Sequence, residues 1–172
     1  DVNKFEANDS KKLRGAIITF VAGQAPDLDR IYDIAKKYGI ILIEDCRSSL
    51  GGTYKGKKIG NLRADMTIFS TNPSNSKYAI SRSGIIVTNN EDIANRAKLL
   101  RTHALTTTYD SYGNLDYVYD VVDIGHKYDL SELDAAYALA QLNKTQNFIK
   151  RRKEIAKLYQ KRLTAVKHIV IP

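Results

Sequence analysis

The feature that most constrains this sequence is a pair of short, almost unbroken apolar runs with one amphipathic segment between them. Ala16-Ile17-Ile18-Thr19-Phe20-Val21 comes first and Ile40-Ile41-Leu42-Ile43 second. Between them Leu28, Ile31, Ile34 and Ala35 recur at helical spacing, with Asp27 placed to cap the segment and Gly39 placed to close it. Gly23-Gln24-Ala25-Pro26 supplies the turn leading in. Strand, helix and strand within about thirty residues form a βαβ unit with parallel strands and a right-handed crossover. Runs that do not alternate with polar residues predict strands covered on both faces.

The same signals continue downstream. Gly51-Gly52-Thr53-Tyr54-Lys55-Gly56-Lys57-Lys58 reads as a glycine-punctuated turn forming a small hairpin. Met66–Ser70 and Gly84–Thr88 are two more strands, separated by a polar loop from Thr71 to Ser83. Asn89-Asn90-Glu91-Asp92 starts a helix with Ile93, Ala97 and Leu100 on one face. The stretch from Thr106 to Tyr119 is polar and tyrosine-rich, with no element assigned to it. Ser131-Glu132-Leu133-Asp134 has the spacing of a capping box and opens a long helical region, broken near Asn143–Asn147. The expected class is α/β, a mostly parallel sheet flanked by helices, with a long C-terminal helix.

Composition excludes several other classes. At 172 residues with 43% apolar content, the chain is of single-domain length and ordinary globular character. No apolar run is long enough to span a bilayer, and Asp1-Val2-Asn3-Lys4-Phe5 has no signal-peptide pattern, so no membrane partner is expected. The single cysteine, Cys46, forms no internal disulfide and fits a reducing, cytoplasmic setting. The net charge of +8 gathers in Lys55–Lys58 and in Lys150-Arg151-Arg152-Lys153 with Lys161-Arg162. The latter lies on a helix whose apolar positions stay in register, so it reads as a solvated face, with attraction to phosphate or nucleic acid as the other reading. No zinc-ligand spacing, RNA-binding aromatic motif or recognition-helix pattern accompanies the charge, and no nucleic-acid partner is expected. His103 and His126 read as loop histidines without metal-ligand spacing.

Ligands of open α/β sheets gather at the carboxyl ends of strands. Glu44-Asp45 follows the second apolar run and Ser70 ends the third strand. A carboxylate there could stabilise a cationic ring nitrogen, hold a metal or cap a turn.

The order of these motifs is more specific than any one of them. Gly23-Gln24-Ala25-Pro26-Asp27-Leu28, Ile41-Leu42-Ile43-Glu44-Asp45, Leu50 through Gly60, and Asp65 through Ser70 follow one another with characteristic spacing. Gly84 through Asn89, Leu99-Leu100-Arg101-Thr102-His103, Gly125 through Ser131, and Ala135 through Leu142 complete the series. In this order the chain resembles the DegT/DnrJ/EryC1/StrS family of pyridoxal-phosphate-dependent nucleotide-sugar aminotransferases over almost its whole length. The resemblance implies part of the large domain of the type I aminotransferase fold. Residues 1–142 would be its central part and residues 143–172 a helical connection towards a small C-terminal domain. Family members begin before Asp1 and continue past Pro172, so the chain is expected to be an internal portion.

The resemblance also implies residue roles. Asp45 takes the place of the aspartate that faces the cofactor's pyridine nitrogen, where a carboxylate keeps that nitrogen protonated. Ser48 stands where the family usually packs Gln or His over the ring. Ser70 matches the serine that hydrogen-bonds the cofactor phosphate. Counting forward from Ser70 puts Asn75 in the slot of the cofactor-bonding lysine, and counting back from Gly84 puts Ser76 there. Lys77, one residue past Ser76 and two past Asn75, is the candidate catalytic residue, with Asn75 counted among the cofactor-binding residues. No histidine stands near position 75, which speaks against the sugar-deoxygenating relatives. Ser81-Arg82-Ser83-Gly84 replaces a Gly-Glu-Gly-Gly-like element, and Asp129 stands where the family usually has arginine. Lys127 replaces an asparagine that reaches the partner subunit's cofactor phosphate, and its ammonium can meet a phosphate as a point charge.

The implied activity is transfer of an amino group from a donor such as glutamate to a nucleotide-linked keto-sugar. Such a reaction would serve a surface polysaccharide or glycan, in a cytoplasmic homodimer with no metal. The other reading is a homologue without turnover that keeps the fold for dimerisation or regulation.

Overall fold

The computed structural model describes residues 2–7, 12–72, 83–109 and 115–170. A short helix α1 (Val2–Ala7) precedes strand β1 (Gly15–Thr19). A 3₁₀ turn (Val21–Gly23), helix α2 (Leu28–Tyr38) and strand β2 (Ile41–Asp45) follow. The first strand is thus shorter than its apolar run, because Val21 is drawn into the turn. Gly39 closes α2 in the left-handed conformation at φ 64°, its N–H donating to the Ala35 carbonyl. Asp27 stands at the N-cap, but its side chain makes no capping bond; its carbonyl accepts the Ile31 N–H at 3.3 Å.

The hairpin of β3 (Thr53–Tyr54) and β4 (Lys57–Lys58) leads to β5 (Met66–Ser70) and β6 (Gly84–Val87). The main sheet has the order β1-β2-β5-β6. β1, β2 and β5 run parallel, with Thr19 opposite Asp45 and Asp45 opposite Ile68. β6 returns antiparallel, placing Gly84 opposite Ser70. The expected mostly parallel sheet is present, and Asp45 and Ser70 end neighbouring strands at one edge.

α2 covers one face of that sheet. Its Leu28, Ile31, Tyr32 and Ala35 pack with Phe20, Ile40, Leu42, Cys46, Ile59 and Phe69 into the core. Burying each large aliphatic side chain there contributes about 1.5–3 kcal/mol. The other face is open: Ile17, Ile41 and Ile86 are 68%, 54% and 52% exposed. The expectation of two covered faces therefore fails among the described residues. Apolar runs record what both faces of a strand would tolerate, not which residues lie over them.

Most described residues of the C-terminal half are exposed. Helix α3 (Glu91–Arg101) is capped by Asn90, whose Oδ1 accepts the Ile93 N–H at 3.1 Å. Strands β7 (Leu105–Tyr109) and β8 (Leu115–Val121) then pair antiparallel, so the tyrosine-rich stretch left without an element contains a hairpin. Threonine, tyrosine and valine favour the extended chain through their branched or aromatic side chains even where no apolar alternation marks a strand. Helix α4 (Glu132–Leu142) begins at Ser131, whose Oγ accepts the Asp134 N–H at 3.1 Å. The Asp134 carboxylate returns to the Ser131 hydroxyl at 2.8 Å rather than to a backbone N–H. Helix α5 (Thr145–Leu163) follows after a break at residues 143–144. Its basic residues are exposed, as a solvated face requires. No described helix is long and apolar enough to cross a membrane.

Candidate functional site

Adjacent residues of β2 point to opposite faces, so Glu44 and Asp45 diverge. Glu44 turns into the core, is fully buried, and accepts hydrogen bonds from the Tyr32 hydroxyl and from Thr67 Oγ1 at 2.8 Å. Burial, then the hydrogen bond to Glu44 and its charge, pushes the Tyr32 phenol well above its usual range. Burial likewise raises the Cys46 thiol far above its ordinary value, aided by the charges of Glu44 and then Asp45. Cys46 is therefore a protonated core residue rather than a nucleophile. Glu44 is structural.

Asp45 turns to the open face, where it lines a cleft of about 200 Å³ with Thr19, Phe20, Val21, Ala22, Arg47 and Ser48. The cleft sits at the carboxyl end of β1 and β2, the edge where the topology directs ligands. The 3₁₀ turn forms one wall and the turn after β2 forms the other. Gly23 lets the walls approach: its φ is +84°, and a Cβ there would stand 2.8 Å from the Ser48 carbonyl oxygen. Phe20 N–H donates to the Asp45 carbonyl at 3.0 Å and Cys46 N–H to the Ile68 carbonyl at 2.9 Å, fixing the strand end between its neighbours.

Sequence reasoning missed Arg47. Its Nε donates to Asp45 Oδ1 at 2.8 Å and to Oδ2 at 3.1 Å. The Asp45 carboxylate raises the guanidinium's pKa, through the hydrogen bond first and its charge second. The Asp45 side chain is 15% exposed and that of Arg47 54%. A basic residue two positions after the acid was the available signal, but the pairing depends on the turn that follows β2.

Ser70 ends β5 on the same sheet face as Asp45, by strand alternation from the Asp45–Ile68 pair. It is buried, and its Oγ accepts the Asn72 N–H at 3.2 Å. One residue on, Thr71 N–H and Oγ1 donate to the Ser83 carbonyl at 2.9 and 2.8 Å, and Ser83 N–H donates to Thr71 Oγ1 at 3.1 Å. Thr71 and Ser83 are thus tied together at this edge. Asn75 and Lys77 lie outside the described residues, as do Ser76, Ser81 and Arg82. Asp45 and Ser48 meet in the cleft, with Ser70 on the same face.

Lys127 is placed elsewhere and does not line the cleft. It is exposed on a loop held to the end of α3, where His126 N–H donates to the Leu100 carbonyl at 2.7 Å and Tyr128 N–H to the Arg101 carbonyl at 2.9 Å. A Cβ on Gly125 would fall 2.2 Å from the Ala104 nitrogen, so this loop presses backbone against backbone. His126 stacks on Tyr128 at 4.8 Å. No group of acidic, histidine or cysteine side chains among the described residues is arranged to hold a metal.

A carboxylate on an open strand end, in a cleft with hydroxyl-bearing side chains on the same face, fits a ligand with a cationic ring nitrogen and polar substituents. Known proteins share this framework. A transaminase of Campylobacter jejuni, UDP-4-amino-4,6-dideoxy-N-acetyl-beta-L-altrosamine transaminase, is 33% identical over 166 residues, 94% of this chain and 42% of the relative. The solved structure of Helicobacter pylori PseC, an aminotransferase involved in the biosynthesis of pseudoaminic acid, is similar with a TM-score of 0.87. It is 23% identical, over 97% of this chain and 43% of that one. A putative sugar aminotransferase of Streptococcus pneumoniae, Spr1654 in its PLP form, is similar with a TM-score of 0.82 at 22% identity, over 96% and 45%. The chain thus spans less than half the length of each of these relatives. All of residues 1–172 match the DegT/DnrJ/EryC1/StrS aminotransferase family, and the chain belongs to it.

Proposed function

We propose that this chain builds part of the active site of a pyridoxal-phosphate-dependent aminotransferase that acts on a nucleotide-linked keto-sugar. The observation that carries the reading is Asp45, a carboxylate at the end of a parallel strand, facing a cleft in a member of an aminotransferase family. Pyridoxal phosphate, the cofactor indicated by the family, supplies when bound an electron sink that lets an amino group pass between an amino acid and a carbonyl.

Asp45 holds a proton on the ring nitrogen by opposing it with a fixed negative charge. Ser48, on the cleft wall beside it, offers a hydroxyl in place of a stacking surface. The Ser70 hydroxyl donates to the phosphate, assisted by Asn75. Lys77 carries the cofactor and takes and returns the proton at the substrate carbon. Lys127 supplies a point charge to the phosphate in the partner subunit of a homodimer. Glutamate is the amino donor, the amino sugar produced serves a surface polysaccharide or glycan, and the protein acts in the cytoplasm.

The test is covalent trapping. After incubation with pyridoxal phosphate and reduction by borohydride, peptide mapping is expected to find the label on Lys77. Lys77→Ala is expected to abolish both the label and amino transfer from glutamate. Label on another lysine, or none, would remove the assignment.

A further inference from the structure

We infer that Arg47 is a built-in competitor for Asp45 that sets how tightly the cleft holds a cationic ring, an inference that rests on the reading just given. Two charged side chains line the cleft, Asp45 and Arg47, and they are bound to each other. The guanidinium Nε reaches both carboxylate oxygens, at 2.8 and 3.1 Å, and the Arg47 backbone N–H adds a longer contact to Oδ1 at 3.4 Å. A carboxylate has lone pairs to spare, so an entering N–H⁺ could find an oxygen. It would nonetheless share one negative charge with a cation already in place. Like charges around one small anion repel, so the ring nitrogen binds best once Arg47 has moved away.

The exposure of the two partners makes that movement feasible. Asp45 is held by the strand end and mostly covered, whereas more than half of the Arg47 side chain is in solvent. Ion pairs with an exposed partner are weak and screened by salt. Arg47 therefore lowers affinity by a modest factor without closing the site. Displaced, its guanidinium is left at the rim of the cleft, away from the ring nitrogen. Until a ligand enters, it keeps the Asp45 carboxylate paired.

Titration of the protein with pyridoxal phosphate, followed by absorbance and by equilibrium dialysis, tests this with Arg47→Gln, Arg47→Lys, Asp45→Asn and the Asp45→Asn/Arg47→Gln pair. Arg47→Gln is expected to bind the cofactor about 3- to 5-fold more tightly at low ionic strength, the range that the loss of a weak pair allows. The gain should shrink as salt rises, and Arg47→Lys, which keeps the charge, should stay near wild type. In the Asp45→Asn background the gain should disappear. A merely structural role for Arg47 would show neither the salt dependence nor the dependence on Asp45. Equal or weaker binding by Arg47→Gln, with Asp45→Asn still weakened, overturns the inference and leaves the aminotransferase reading standing. Binding by none of the proteins, or binding indifferent to Asp45, overturns both.

Discussion

Glu44 and Asp45 are neighbours in the chain with the same charge, yet they belong to different regions of the molecule. Glu44 stands on the face packed by α2, where it has no solvent and two neutral hydroxyl donors. Asp45 stands on the open face, beside a cleft, with an exposed cation as its partner. A buried carboxylate with fixed donors organises a core, because truncating it strands those donors. A carboxylate paired with an exposed arginine can exchange that partner for a ligand. The difference arises from strand alternation alone, and it separates the structural half of the sheet from the half that can bind.

Removing each carboxylate in turn should break the symmetry between them. Glu44→Ala strands the Tyr32 and Thr67 hydroxyls in the core, and is expected to lower stability by about 2–4 kcal/mol in urea unfolding. If the packed face tolerates the change with less than about 0.5 kcal/mol of loss, Glu44 is not the organiser of that core.

Alkaline pH probes the same face without altering the acid. The Tyr32 and Cys46 pKa values are raised in the folded chain above their ordinary 10.0 and 9.0. For a raised group the unfolded state loses its proton first, so its stabilisation is complete below the ordinary value and lost as pH rises beyond it. Unfolding midpoints should thus fall from about pH 9 through Cys46, and more steeply above about pH 10 when Tyr32 joins, at about 1.4 kcal/mol per pH unit per group. Cys46→Ala should flatten the interval between 9 and 10. A variant that keeps the full slope there would show that the thiol is not the responsible group.

The smallest effect belongs to the open face. Ile86→Thr removes an apolar group that is already half in water, and is expected to change stability by no more than about 0.5 kcal/mol. A loss of 2 kcal/mol or more, on the scale of a core truncation, would mean that this face is covered in solution.

Much of this contrast was legible in the residues themselves. Apolar runs and helical spacing marked β1, α2 and β2, Gly39 marked the end of the helix, and Asp45 and Ser70 stood at strand ends where ligands gather. Three features were hidden, each for its own physical reason. The unbroken runs promised cover on both faces, but the covering residues are not set by the strand's own composition. The hairpin of β7 and β8 rests on threonine and tyrosine propensity and cross-strand pairing, which leave no hydrophobic period to read. Arg47 meets Asp45 only because the chain turns after β2, and a spacing of two residues does not announce that contact. Ser48 did fall beside Asp45 in the cleft, because a short turn leaves it little freedom to go elsewhere.

The most direct measurement is the dissociation constant of pyridoxal phosphate for Asp45→Asn, taken beside its unfolding curve. A carboxylate that serves the ring nitrogen should be missed in binding and not in folding. Affinity is expected to fall about 10- to 100-fold, the worth of one charge-assisted hydrogen bond, with the urea midpoint near that of wild type. Cofactor binding as tight as that of the unaltered protein would contradict the assignment of Asp45.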